Sequence, residues 1–166
     1  MLIYHPAYDA YHCVFRMLLI ATSIKEVEIE KARLLDFYLM FPSAVSKIRL
    51  PANLIEARRL AKSVSNVYHD PINIASTFRD MREIQQAALK CIAASGLIDV
   101  DKLSNGYVSR TALSVPEDIQ RKISEFIDKR QPLAGIVLSG LAEIPLRGDN
   151  GLKHRTELME HRYDLA

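Results

Sequence analysis

Residues 28–51 read EIEKARLLDFYLMFPSAVSKIRLP. The stretch opens as a charged amphipathic helix and turns almost wholly apolar from Leu34 to Phe41, where Asp36 is the one charge. Pro42 stops it. A helix that is apolar nearly all round must be covered on more than one side. Either the chain's own elements cover it or a partner protein does. Ser23 is placed to cap this helix, with Glu26 three residues on as a capping-box partner. A second proline-bounded patch, Lys47-Ile48-Arg49-Leu50-Pro51, follows at once.

Upstream, Tyr8, Tyr11, Phe15 and Leu18 share a stripe at helical spacing and predict a helix over 8–21, with Asp9, His12 and Arg16 on its other side. Downstream, Pro51 suits the first turn of a helix over 51–65. Residues 66–73 form a loop around Asp70-Pro71. A longer helix over 74–95 carries Phe78, Met81, Ile84, Ala88, Cys91 and Ile92 inward and ends at Gly96. After Gly96 the pattern changes in kind. Leu97-Ile98-Asp99-Val100 is β-prone, Ser104-Asn105-Gly106 is a turn signal, and Tyr107-Val108-Ser109-Arg110-Thr111 alternates. A helix followed by a short hairpin has the sense of a winged helix, with the hairpin as wing and the preceding helix in the recognition position. Helix resumes over 114–129, with Pro116 in its first turn and Ile119, Ile123, Phe126 and Ile127 inward. An apolar segment, 133–146, and a charged tail, 147–166, complete the chain. The expected fold is therefore mainly α with a small β-hairpin, a winged-helix-like α+β domain over 1–113. A C-terminal helical segment, 114–166, packs on it.

The 166 residues are 49% hydrophobic and 25% charged, which is ordinary globular composition. A net charge of +2 excludes a whole-molecule nucleic-acid footprint and leaves room for a local basic face. Cys13 and Cys91 are the only cysteines, too few and too far apart for a disulfide framework or a zinc site. With no signal-like start and no apolar run of membrane-spanning length, the expected location is the cytoplasm.

No Walker loop, nucleophile elbow or Gly-x-Gly-x-x-Gly motif is present, so neither catalytic nor cofactor residues are expected. His154, Glu157 and His161 would share a face of a continuous helix, yet they match no established metal-ligand spacing and read as a solvated charged tail. The N-terminal aromatic stripe reads as core or, alternatively, as a base-stacking platform. Asp36 must meet a cation or water, because a carboxylate buried alone is costly. Its candidate partners are Arg33, Arg49 or a basic group on another protein. In that last case Asp36, Phe37 and Phe41 would form a partner interface. Lys47, Arg49, Arg58, Arg59 and Lys62 are candidate phosphate contacts or a solubilising face. On the predicted recognition helix, Arg79, Arg82 and Lys90 are offset by Asp80 and Glu83, a pattern that favours protein contact over base reading.

Tyr4-His5-Pro6, Tyr11-His12, Phe15-Arg16, the run from Ile29 to Tyr38, Phe41-Pro42 and Ile48-Arg49-Leu50-Pro51 together resemble the middle component of ABC three-component systems. So does the ending, with Gly151-Leu152-Lys153-His154-Arg155-Thr156 and Glu160-His161-Arg162-Tyr163-Asp164. These are bacterial operons, Lamassu-like in organisation, that defend against phage and plasmids. The resemblance covers nearly the whole chain. It implies a non-catalytic accessory subunit that links an SMC-like ATPase to an effector, often a nuclease. Indirect or weak DNA contact and homodimerisation are compatible with it. The competing expectation is a stand-alone winged-helix regulator that binds a palindrome as a dimer.

Overall fold

The computed structural model describes residues 5–160. Within them the protein is mostly helical with one two-stranded antiparallel sheet. The order is α1 (Ala10–Ser23), β1 (Glu26–Glu28), α2 (Ile29–Met40), α3 (Ala57–Ser63), α4 (Ile74–Asp80), α5 (Arg82–Ala94), α6 (Val100–Ser104), β2 (Tyr107–Ser109), α7 (Glu117–Arg130), α8 (Leu133–Gly135) and α9 (Leu152–Thr156). Two 3-10 turns, Pro42–Lys47 and Ala52–Leu54, lead into α3, and α8 continues as a π-helical turn, Ile136–Leu141.

Helix α2 is the centre of the core. Lys31, Ala32 and every residue from Leu34 to Leu39 are buried. Helix α1 packs most extensively on α5 and also against α2 and α7, and the π-helical turn packs on α2. The apolar helix is thus covered by the chain's own elements.

The expected helix from Ser23 to Phe41 is interrupted. Ile24 is extended, Glu26–Glu28 forms a strand, and the helix proper starts at Ile29. Glu-Val-Glu alternates, so Val27 can face the core opposite Val108 in the antiparallel ladder. Pairing with a distant strand outweighs a local capping box, whose contribution is only about 1 kcal/mol.

The expected pairing of 97–100 with 107–111 is present but short, with Asp99 N donating to the Ser109 carbonyl at 2.9 Å and Thr111 N to the Leu97 carbonyl at 3.1 Å, and β2 takes a second partner in β1. Residue 98 makes a single bridge to Arg110, but the ladder of β2 is with β1, in the register Glu26–Ser109, Val27–Val108 and Glu28–Tyr107. Asn105-Gly106 ends α6 rather than closing a two-residue turn. The Asp99 side chain caps α6, accepting from Lys102 N at 2.9 Å. That cap turns the β-prone Asp99-Val100 into a helix start.

The inward face of α1 differs from the expected stripe. Asp9 caps the helix, accepting from His12 N at 3.0 Å, so Tyr8 precedes it. Tyr8 and Tyr11 are exposed, whereas Arg16 is buried alongside Cys13, Met17 and Ile20. The physical reason is the carboxylate on α2, described below. Helices α4 and α5 replace one long helix, separated at Met81. Cys91 points outward, while Leu89 and Gln85 point in. Gly96 ends this run with φ +77°, in the left-handed region where a side chain would be strained.

Candidate partner-binding surface

Asp36 is fully buried and lies at the junction of three helices. Arg16 of α1 donates from Nε to Asp36 Oδ1 at 2.6 Å and from Nη2 to Oδ2 at 3.4 Å. Gln85 of α5 donates to Asp36 Oδ2 at 2.8 Å and to the Arg33 carbonyl at 3.1 Å. Gln85 Oε1 in turn accepts from Arg33 Nε at 2.9 Å, and the Arg33 guanidinium sits 4.9 Å from the Phe78 ring centre. Burial alone would make Arg16 less basic, but the charge and hydrogen bond of Asp36 outweigh it and the guanidinium is held more basic than usual. The Cys13 thiol, 3.9 Å from Asp36, is pushed far upward by burial and then by the carboxylate. An inert thiol and a neutralised carboxylate are structural rather than nucleophilic groups.

Two expectations are corrected here. The cation that meets Asp36 is Arg16, neither Arg33 nor Arg49. Asp36, Phe37 and Phe41 are all core residues: Phe37 makes ring contacts with Tyr38, Phe41 and Phe78 at 5.2, 5.3 and 5.7 Å. In this conformation none of the three offers surface to a partner.

The basic patch is largely engaged inside the chain. Arg49 pairs with Glu157 and lies 3.4 Å from His154 Nε2, and Arg59 pairs with Glu56 at 3.5 Å. Arg58 is half-buried and donates to the Ile48 carbonyl at 3.2 Å. Lys47 and Lys62 remain exposed. The five residues therefore do not form one continuous cationic face.

Arg49 meets Glu157 because the tail is docked rather than solvated. Arg49 N donates to the Arg155 carbonyl at 3.1 Å, and Arg155 Nη1 donates back to the Arg49 carbonyl at 2.6 Å. Leu152 and Lys153 are buried, and Lys153 reaches Glu30 at 3.1 Å. Gly151 opens α9 against the Arg147 carbonyl, where no Cβ would fit. His161 lies outside the described residues. Among the described residues no group of three potential ligands could hold a metal ion.

The largest exposures of apolar side chains among the described residues are elsewhere. Val67, Tyr68 and Ile72 are 91%, 92% and 107% exposed. Their loop is not loose. Asp70 Oδ2 accepts from Asn66 N at 2.8 Å and Ser65 Oγ at 2.9 Å, and Asp70 Oδ1 accepts from Ser43 Oγ at 2.7 Å. Asn66 Oδ1 accepts from Tyr68 N at 2.9 Å. Asn73 then caps α4, accepting from Ser76 N at 2.8 Å. Asp70-Pro71 was legible as a loop signal. The three apolar residues around it, in a stretch otherwise made of Ser, Asn, His, Asp and Pro, were the overlooked clue.

A family model for the ABC-three component (ABC-3C) system Middle Component 5 matches residues 2–164. The chain belongs to that family. No curated protein and no solved structure matches it. Membership supports a non-catalytic accessory role in a defence system. No helix among the described residues is long and apolar enough to cross a membrane.

Proposed function

We propose that this chain is the adaptor that joins an SMC-like ATPase to an effector nuclease in defence against phage or plasmid DNA, and that the loop over 64–72 is its seat on the ATPase. The observation that carries the interface is the loop itself: Val67, Tyr68 and Ile72 stand almost wholly in solvent, with Val64 half-exposed beside them, on a backbone fixed by Asp70. Burying such a side chain contributes about 1.5–3 kcal/mol. A loop ordered before binding loses little further entropy when it docks. Aromatic and aliphatic anchors of this kind are the usual centres of binding energy.

The fold reading belongs to the same proposal. Helix α1, strand β1, helices α2 and α5, the bridge at Ile98 and the return of β2 beside β1 follow the order of a winged-helix unit. Helix α5 would take the recognition position and the α6 turn that of a shortened wing, with residues 114–160 packed on this unit. The outward residues of α5 include Arg82, Glu83, Gln86 and Lys90, a mixed-charge face suited to protein contact.

The test is co-expression with the two neighbouring operon products. Wild-type chain is expected to co-purify with the ATPase, and the triple variant Val67→Ser, Tyr68→Ser, Ile72→Ser to lose it while its far-UV circular dichroism is unchanged. A folded variant that assembles normally removes the loop from the interface. Wild-type chain that ignores the ATPase removes the adaptor reading altogether.

A further inference from the structure

A groove of about 370 Å³ runs between α1 and α7, on residues that the family assignment does not explain. Tyr11 and Phe15 form one wall, edge to face with ring centres 4.5 Å apart. Tyr11 is 56% exposed. The other wall is α7. Lys122 and Lys129, seven residues apart, lie nearly one above the other about 10 Å apart, and Arg130 lies beside Lys129. Against these three cations the groove sets one carboxylate from the same helix, Glu125. Of the remaining polar lining, Arg16 is paired with Asp36, and His12 Nδ1 lies 3.2 Å from Asp9 Oδ1.

One cation sits at the hydroxyl edge of a ring and another on a ring face. Lys122 Nζ lies 5.2 Å from the Tyr11 ring centre and 5.4 Å from that of Phe15, and it donates to the Tyr11 hydroxyl at 2.5 Å. The Arg130 guanidinium stacks 3.8 Å from the Phe126 ring centre. Arg130 is half-buried, yet it has no carboxylate or carbonyl acceptor among the described residues, and Arg16 faces it with a like charge. The Arg130 guanidinium nitrogens still reach solvent, so an incoming anion can pair with them directly.

We propose that the α1–α7 groove binds single-stranded nucleic acid, with an unpaired base against Tyr11 and Phe15 and the flanking phosphates on Lys122, Lys129 and Arg130. Exposed aromatic faces interleaved with cations are what unpaired bases and their backbone require, since every base has a π-face and every linkage a charge. A duplex hides its bases and would meet only the cations. The apolar floor of Pro6, Met40 and Phe126 suits a base better than a hydrated carboxylate. The proposal does not rest on the adaptor reading, because none of these residues lies in the loop over 64–72.

The full chain is titrated into fluorescently labelled oligo-dT and into a blunt duplex of equal length, by anisotropy at two salt concentrations. Oligo-dT is expected to bind more tightly than the duplex. Tyr11→Leu, which keeps an apolar contact to Phe15, should weaken oligo-dT by roughly ten-fold and leave the salt slope unchanged. Lys122→Gln, at an exposed position, should lower the slope of log affinity against log salt by about 0.7. An oligo-glutamate peptide serves as competitor. Absence of oligo-dT binding by the wild-type chain overturns the proposal. So does equal binding of duplex and single strand, Tyr11→Leu affinity equal to wild type, or equally effective displacement by oligo-glutamate. Circular dichroism of both variants confirms that any loss is not a failure to fold.

Discussion

Asp36→Asn removes one charge, keeps the side chain's shape, and leaves Arg16 buried without its counter-ion. In the native chain Asp36 accepts from Arg16 Nε, Arg16 Nη2 and Gln85 Nε2, and both ends of the ion pair are sealed from water. An asparagine retains one acceptor oxygen. Its amide nitrogen then faces either the guanidinium or the Gln85 amide, donor against donor. Breaking a buried pair from one side costs about 3–5 kcal/mol, because the remaining charge is stranded in a poorly solvating interior. That is a large share of the roughly 5–15 kcal/mol by which a domain is stable. For a chain of this size it corresponds to a fall in Tm of about 6–20 °C. Urea unfolding followed by circular dichroism would measure it. The double variant Arg16→Met, Asp36→Leu should recover most of the loss, since apolar groups of similar volume replace a buried pair at little net cost. The single variants Arg16→Met and Asp36→Leu, with the double, complete a thermodynamic cycle whose coupling should exceed about 2 kcal/mol. A loss under about 1 kcal/mol for Asp36→Asn, or a double variant as unstable as the sum of the singles, would refute this account of the core.

Three further outcomes follow from the same geometry. Exposed Cys91 should react rapidly with a thiol reagent, while buried Cys13 should react only as the protein unfolds; comparable rates in native buffer would contradict its burial. Cys13 and Tyr38 both have proton affinities raised by burial, from ordinary values of 9.0 and 10.0. The unfolded chain therefore releases these protons first, and the stability they contribute, complete below about pH 9, should be lost as pH rises further. Denaturant midpoints measured across the alkaline range check the sign, and a midpoint rising above pH 9 would reverse it. At the docked tail, Leu152→Ala should cost about 2–5 kcal/mol because Leu152 is buried, whereas Arg49→Ala should cost under about 1 kcal/mol because its pair with Glu157 is exposed. Thermal melts of the two variants separate these, and equal losses would mean that charge rather than packing holds the tail.

Much of the architecture could be read from residue patterns. The helix ends at Pro42 and Gly96, the helix behind Pro116 and the loop at Asp70-Pro71 all follow from local chemistry. They depend on neighbours three or four residues away, which a linear reading contains. The apolar run from Leu34 to Phe41 was likewise sufficient to say that this helix must be covered on several sides. It could not say by what.

That choice was tertiary. The cation for Asp36 comes from 20 positions upstream and the amide from 49 downstream. Helical periodicity ranks Arg16 as a solvent residue, and only the position of α2 beside α1 turns it inward. The pairing of β1 with β2 likewise joins segments about 80 residues apart. The exposure of Val67, Tyr68 and Ile72 is a residual, left after every nearer element has filled the core. What the sequence determined by itself was the local grammar of helix, stop and turn, together with a resemblance that the family match upheld. Which charges meet, which greasy groups stay wet and where the tail docks were decided by packing, because those energies exist only once distant segments share a boundary.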